Sequence, residues 1–179
     1  MRLKDFVSAA FLVVMNLALR LPGHAARGWV LAHFARVEMG HACAFQRKVI
    51  LTTRGGVSIG RNCNINSGVL LDGRGGLTIG ARVNISSDVL LLTADHDPRS
   101  PTFMGRTREI EVGDRSWIAT RAIILPGSVI GEGAIVAAGA VVHGHVAPWT
   151  IVAGNPASVV GDRPRNAQEE MIHYARFLQ

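Results

Sequence analysis

The residues best suited to chemistry sit in one short stretch, Thr93-Ala94-Asp95-His96-Asp97-Pro98-Arg99-Ser100-Pro101, which leads into Phe103-Met104-Gly105-Arg106. An unperturbed imidazole titrates near pH ~6.5, so His96 can accept a proton at neutral pH. Asp95, Asp97 or a backbone carbonyl could hold its tautomer. Two prolines, a glycine and several charges cannot continue a regular strand, and the stretch from 93 to 111 therefore reads as a surface excursion with His96 at its root. His143 and His145 add two imidazoles. Cys43 and Cys63, the only cysteines, are too few and wrongly spaced for a zinc site or a disulfide framework, and read as buried thiols.

A single histidine works only if something rigid holds it. From Val112 onward an aliphatic residue recurs at every sixth position, as Val112, Ile118, Ile124, Ile130, Val136 and Val142. Four residues after each comes a small or β-branched side chain: Ser116, Ala122, Ser128, Ala134, Ala140 and Val146. Neither a helix nor an ordinary strand has that period. Two inward positions per six residues, with glycines between, specify a short flat strand and a tight corner. The pattern runs earlier as Ile59/Cys63, Ile65/Val69 and Leu71, then Ile79/Val83, Ile85/Val89 and Leu91, and Val37, Cys43 and Val49 begin it. Three hexapeptides make one triangular coil, so about 18 residues advance the solenoid by one strand spacing of roughly 4.8 Å. Residues 37–160 give about six or seven coils, whose ends need caps. Residues 1–36 are expected to form a helical cap, and 161–179 a tail with a short amphipathic helix over Ala167 to Leu178.

Leu77-Thr78-Ile79-Gly80, the His96 segment, Trp117-Ile118-Ala119-Thr120, Ile124-Leu125-Pro126-Gly127, Ile130-Gly131-Glu132-Gly133 and Gly154-Asn155-Pro156-Ala157 fall in an order and spacing that resembles the hexapeptide acyltransferases. The likeness runs over roughly residues 57–162 and is strongest to the maltose, galactoside and polysaccharide O-acetyltransferases. It implies a mainly β fold, a left-handed parallel β-helix, and an O-acetyltransferase that uses acetyl-CoA as co-substrate and no metal. It further implies that His96 is the general base for direct attack of a sugar or polysaccharide hydroxyl on the thioester, with Asn66, Asp95 and Trp117 at the acceptor. By matched position, Ala119, Thr120, Ala137, Ala138, Gly139, Gly154, Asn155 and Pro156 would line the acetyl-CoA groove between two subunits of a homotrimer. This chain departs from the pattern at His143-Gly144 and Ser158, where relatives carry cations for the nucleotide phosphates; Arg163 or Arg165 could replace them. Ala119 stands where a glycine is frequent.

Alternatives remain at this level. The γ-type carbonic anhydrases share the coil, but His96, His143 and His145 lack their ligand spacing. Non-catalytic scaffolding coils exist, yet would not need His96, Asn66 and the excursion together. Antibiotic or amino-sugar acceptors are open to the same histidine.

The bulk properties agree with a coil. At 179 residues, 48% hydrophobic and only 6% aromatic, with 20 glycines, the chain must build its core from aliphatic side chains. The net charge of +6 is spread along the chain with no aromatic-interleaved basic run, which argues against a nucleic-acid partner. Phe6 to Leu19 is apolar but short of the ~20 residues a membrane span needs. Gly23-His24-Ala25 has the small-x-small form of a signal-peptide cleavage site, which is the alternative reading of this stretch. The favoured reading is a cytoplasmic protein whose first helix packs on the coil or lies on the inner membrane face, with Arg20, Arg27 and Arg36 near lipid phosphates.

Overall fold

The computed structural model describes residues 3–165; the expected C-terminal helix lies outside them. Two helices, α1 (Leu3–Ala18) and α2 (His24–His33), precede a run of very short strands. These strands stack into three parallel faces of a β-helix. The first face contains Glu38–Met39, Val57–Ile59, Leu77–Ile79, Ile110–Val112, Val129–Ile130 and His145–Val146. On the second lie Ala44–Phe45, Asn64–Ile65, Asn84–Ile85, Trp117–Ile118, Ile135–Val136 and Thr150–Gly154. The third carries Ile50–Leu51, Leu70–Leu71, Leu90–Leu91, Ile123–Ile124 and Val141–Val142. The chain visits the faces in rotation, giving about six turns.

The six-residue period is the cause. Every residue of the aliphatic series from Val112 to Val142 is at most 2% exposed, and every member of the second series from Ser116 to Val146 is at most 5% exposed. Each hexapeptide thus sends two side chains to the axis, where they stack on the same positions of the neighbouring turns. Buried Ser116 and Ser128 satisfy their hydroxyls on the carbonyls of Gly113 and Leu125, both at 2.7 Å. Cys63 is buried as expected, whereas Cys43, one turn below in the first turn of the coil, is only half-buried.

The corners between the first and second faces explain a set of glycines. A Cβ on Gly60 would come within 2.6 Å of the Gly80 carbonyl carbon, and one on Gly113 within 2.6 Å of Glu132 N. Turns stack too closely there for any side chain.

Both ends of the coil are covered. At the first turn, the Asn16 side-chain amide clasps Leu51, with Nδ2 donating to the Leu51 carbonyl and the Leu51 N–H donating to Oδ1, each at 3.0 Å. Met15, Leu19 and Leu31 bury their side chains against the core. At the other end, Thr150–Gly154 turns back through Gly154-Asn155-Pro156-Ala157, with a cis Asn155–Pro156 bond, into Ala157–Asp162, which pairs antiparallel to it.

Candidate active site

The excursion leaves the coil after the third-face strand Leu90–Leu91 and re-enters at Ile110, slightly earlier than the sequence reading had it. It is a hairpin: Ala94–His96 pairs antiparallel with Gly105–Thr107. A buried residue that the sequence reading overlooked fixes its root. Asp72, fully buried in the turn below, accepts from the Thr93 N–H at 3.0 Å, the Thr52 hydroxyl at 2.6 Å and the Arg74 side chain at 2.9 Å. Thr93 in turn donates its hydroxyl to the Asp72 carbonyl and accepts from Gly75 N–H. Burial alone would raise the Asp72 carboxyl; the hydrogen bonds from Arg74, Thr52 and the Arg74 and Thr93 N–H groups outweigh it and hold the group below the usual carboxylate range.

His96 stands exposed on this hairpin. Its Nδ1 lies 2.8 Å from the Phe103 carbonyl oxygen, and its ring stacks on the Phe103 ring at 4.5 Å between centroids and 3° between planes. A carbonyl can only accept, so the neutral ring carries its proton on Nδ1 and leaves the Nε2 lone pair outward. Of the three tautomer-holding partners left open by the sequence, the backbone carbonyl is the one in place. Asp95 is turned elsewhere: Arg106 donates to it from Nε at 2.6 Å and Nη2 at 3.0 Å, and Arg108 adds a longer contact. The Arg106 hydrogen bond is the largest cause holding its carboxyl below the ordinary value. Asp95 clamps the two strands of the hairpin through these contacts.

On the second face the coil aligns the other candidates in columns. Asn66, Ser86, Ala119 and Ala137 succeed one another one turn apart, each N–H donating to the next turn: Asn66 to Ile85, Ser86 to Ile118, Ala119 to Val136 and Ala137 to Val152, at 2.8–2.9 Å. The Asn66 Nδ2 donates to Asn84 Oδ1 and the Ile85 carbonyl, which leaves its own Oδ1 as an acceptor. Trp117 is 42% exposed and donates its indole N–H to the Ser86 hydroxyl at 3.0 Å. The N–H groups of Ala119, Ala137 and Gly139 are spent within the coil, whereas those of Thr120 and Ala138 donate to no other described residue. Gly154, Asn155 and Pro156 are exposed at the last turn of the same face.

One set of residues is brought together and another is not. Asn66, Trp117 and the small residues share the second face and its corner with the third. His96 projects from the corner between the third face and the first, and no hydrogen bond or ring contact joins it to Asn66 or Trp117. Arg163 is a correction: it is 8% exposed and gives Nη1 to the carbonyls of Arg115 and Gly133, both at 2.9 Å, with its guanidinium over Trp149. It braces the last turn, and of the two proposed cations only Arg165 faces solvent.

The family model for the bacterial transferase hexapeptide (six repeats) matches residues 109–144. A chloramphenicol acetyltransferase of Escherichia coli is 36% identical over 66 residues, 37% of this chain and 30% of that protein. A putative colanic acid biosynthesis acetyltransferase of Escherichia coli K12 is 30% identical over 73 residues, 41% of this chain and 40% of that protein. The chain thus spans less than half the length of these curated relatives. A hexapeptide-repeat acetyltransferase of Vibrio cholerae O1 biovar eltor, solved with acetyl coenzyme A, shares the fold with a TM-score of 0.80 at 24% identity over 90% of each chain. The chain carries the hexapeptide repeat over residues 109–144 and folds as a parallel β-helix, the fold it shares with the Vibrio cholerae acetyltransferase.

Proposed function

We propose that the protein moves an acetyl group from acetyl-CoA to a hydroxyl of a sugar or polysaccharide precursor. His96 Nε2 takes the hydroxyl proton, the oxygen attacks the thioester carbonyl, and the thiolate of CoA leaves without a covalent acyl-enzyme. The observation that carries this reading is the 2.8 Å contact of Nδ1 with the Phe103 carbonyl, because it leaves the Nε2 lone pair aimed outward. Asn66 Oδ1 orients the acceptor hydroxyl and Trp117 walls the groove. Ala119, Thr120, Ala137, Ala138 and Gly139 pass the pantetheine arm, with Gly154, Asn155 and Pro156 at its far end, and the N–H groups of Thr120 and Ala138 are available to a ligand carbonyl.

In this reading the site is completed by a second copy in a homotrimer. Two features support that: His96 and the Asn66–Trp117 face occupy different corners of one chain, and Phe103 and Met104 on the hairpin are 60% and 64% exposed. The likeness to the colanic acid acetyltransferase supports a glycan acceptor, and that to the chloramphenicol acetyltransferase supports an antibiotic hydroxyl as the second reading. We place the protein at the inner membrane face, on the apolar side chains that α1 leaves exposed.

His96→Ala is expected to lower acetyl transfer by about 10²–10⁴-fold in an assay of thiol release, with an unchanged melting curve. Wild-type turnover in that variant would remove the mechanism. A panel of oligosaccharides and chloramphenicol decides between the acceptor classes.

A further inference from the structure

Where α2 starts, its first turn and the corner that follows the second-face strands line a half-open cavity of about 750 Å³, with His24, Arg27, Gln46, Arg47 and Ser67 on its walls. Its charge is one-sided. Arg27 is 3% exposed; Nε donates to the Phe45 carbonyl at 2.9 Å, Nη1 to the Leu21 carbonyl, and Nη2 lies 3.2 Å from His24 Nδ1. None of these partners is anionic, and neither Arg27 nor Arg47 forms an ion pair among the described residues. Burial, and then the charge of Arg47, hold the Arg27 guanidinium below its ordinary pKa, so the two cations repel across the cavity. The first turn of α2 adds to this: Gly23 gives no side-chain cap and no acidic residue follows it, which leaves N–H groups and the positive end of the helix dipole at the same wall.

The exposed Arg47 guanidinium and the helix start, backed by the buried charge of Arg27 and with no carboxylate among them, are complementary to an anion. The position gives that anion a context. Gln46 stands one turn before Asn66 in the same column, its N–H donating to the Ile65 carbonyl, and Ser67 follows Asn66 directly, so the cavity opens about one strand spacing, ~4.8 Å, from the amide assigned to the acceptor hydroxyl. We propose that the cavity binds a phosphate group carried by the saccharide acceptor, on the same or the adjoining sugar ring. The volume exceeds what a bare ion fills and leaves room for the ester it is attached to. The anion site stands on its own geometry; calling its ligand the acceptor rests on the acetyl-transfer reading.

The test is calorimetric titration of the full chain with glucose 1-phosphate, glucose, glucuronate and inorganic phosphate. Glucose 1-phosphate is expected to bind at least about tenfold tighter than glucose and to be displaced by inorganic phosphate. Arg47→Ala, at an exposed position, is expected to weaken it about tenfold with an unchanged melting curve; Arg27 is left alone because its side chain is part of the packing. Equal binding of glucose and its phosphate, or full affinity in Arg47→Ala, overturns the site. Glucuronate binding as tightly as the phosphate overturns the phosphate assignment, and displacement by phosphatidylglycerol vesicles but not phosphatidylcholine vesicles moves the ligand to a lipid headgroup. Thiol release separates this from the parent reading: binding without release on any acceptor removes acetyl transfer and keeps the anion site, while equal kcat/KM for glucose and glucose 1-phosphate keeps acetyl transfer and overturns the assignment of the anion to the acceptor.

Discussion

Asp72 and His96 are one turn apart, and the first sets how firmly the second is held. The Asp72 carboxylate gathers Thr52, Arg74 and Thr93 at the root of the hairpin, so Asp72→Ala leaves the buried Thr93 N–H and the half-buried Thr52 hydroxyl without an acceptor. Each such group costs about 1–3 kcal/mol, and the variant is expected to lose roughly 2–4 kcal/mol in denaturant titration along with much of its acetyl-transfer rate. Because the folded carboxyl lies below its unfolded value near ~3.9, its stabilising effect is complete at neutral pH and fades as pH falls below about 4. Asp72→Asn should flatten that part of the stability–pH curve. His96 was legible in the sequence as the one imidazole where the repeat breaks. Asp72 was not, because an acid beside Gly73 looks like any corner residue until the turn above it is in place. Asp95, adjacent to His96 in sequence, points instead to Arg106, since side chains alternate along the hairpin strand.

At the level of elements, the periodicity decided nearly everything that lies inside the coil. Inward residues were readable from Ile59 to Val146 because each hexapeptide repeats the same two burials, and a solenoid needs no long-range pairing to be guessed. What periodicity does not encode is the pairing of a helix side chain with a strand backbone. Asn16 occupies the place of a strand partner for Leu51 with both arms of its amide, a role invisible in an apolar helix of mixed composition. Asn16→Ala strands the Leu51 N–H and carbonyl and is expected to cost about 1–3 kcal/mol, measured by thermal melting. The Gly113 corner obeys a different limit. Gly113→Ala puts a methyl 2.6 Å from Glu132 N, so two turns must separate, and a loss of about 1–3 kcal/mol is expected with no change in helix content by circular dichroism.

For the molecule as a whole, the functional reading depends on copies meeting and on where they meet. Light scattering on the purified chain is expected to give three times the monomer mass. No helix among the described residues is long and apolar enough to cross a membrane. Phe6, Val13, Val14, Leu17 and Trp29 are each at least 55% exposed, so co-sedimentation with anionic vesicles is the expected result, weakened by Val13→Asp and Val14→Asp together.

A coil that repeats the same turn has no length of its own: any terminal rung offers unpaired amides that would accept another molecule's first rung. The Asn16 clasp at one end and the folded-back strand Ala157–Asp162 at the other act as stoppers against that. Strip either away and the same backbone complementarity that builds the barrel-like stack would drive head-to-tail polymerisation into fibres.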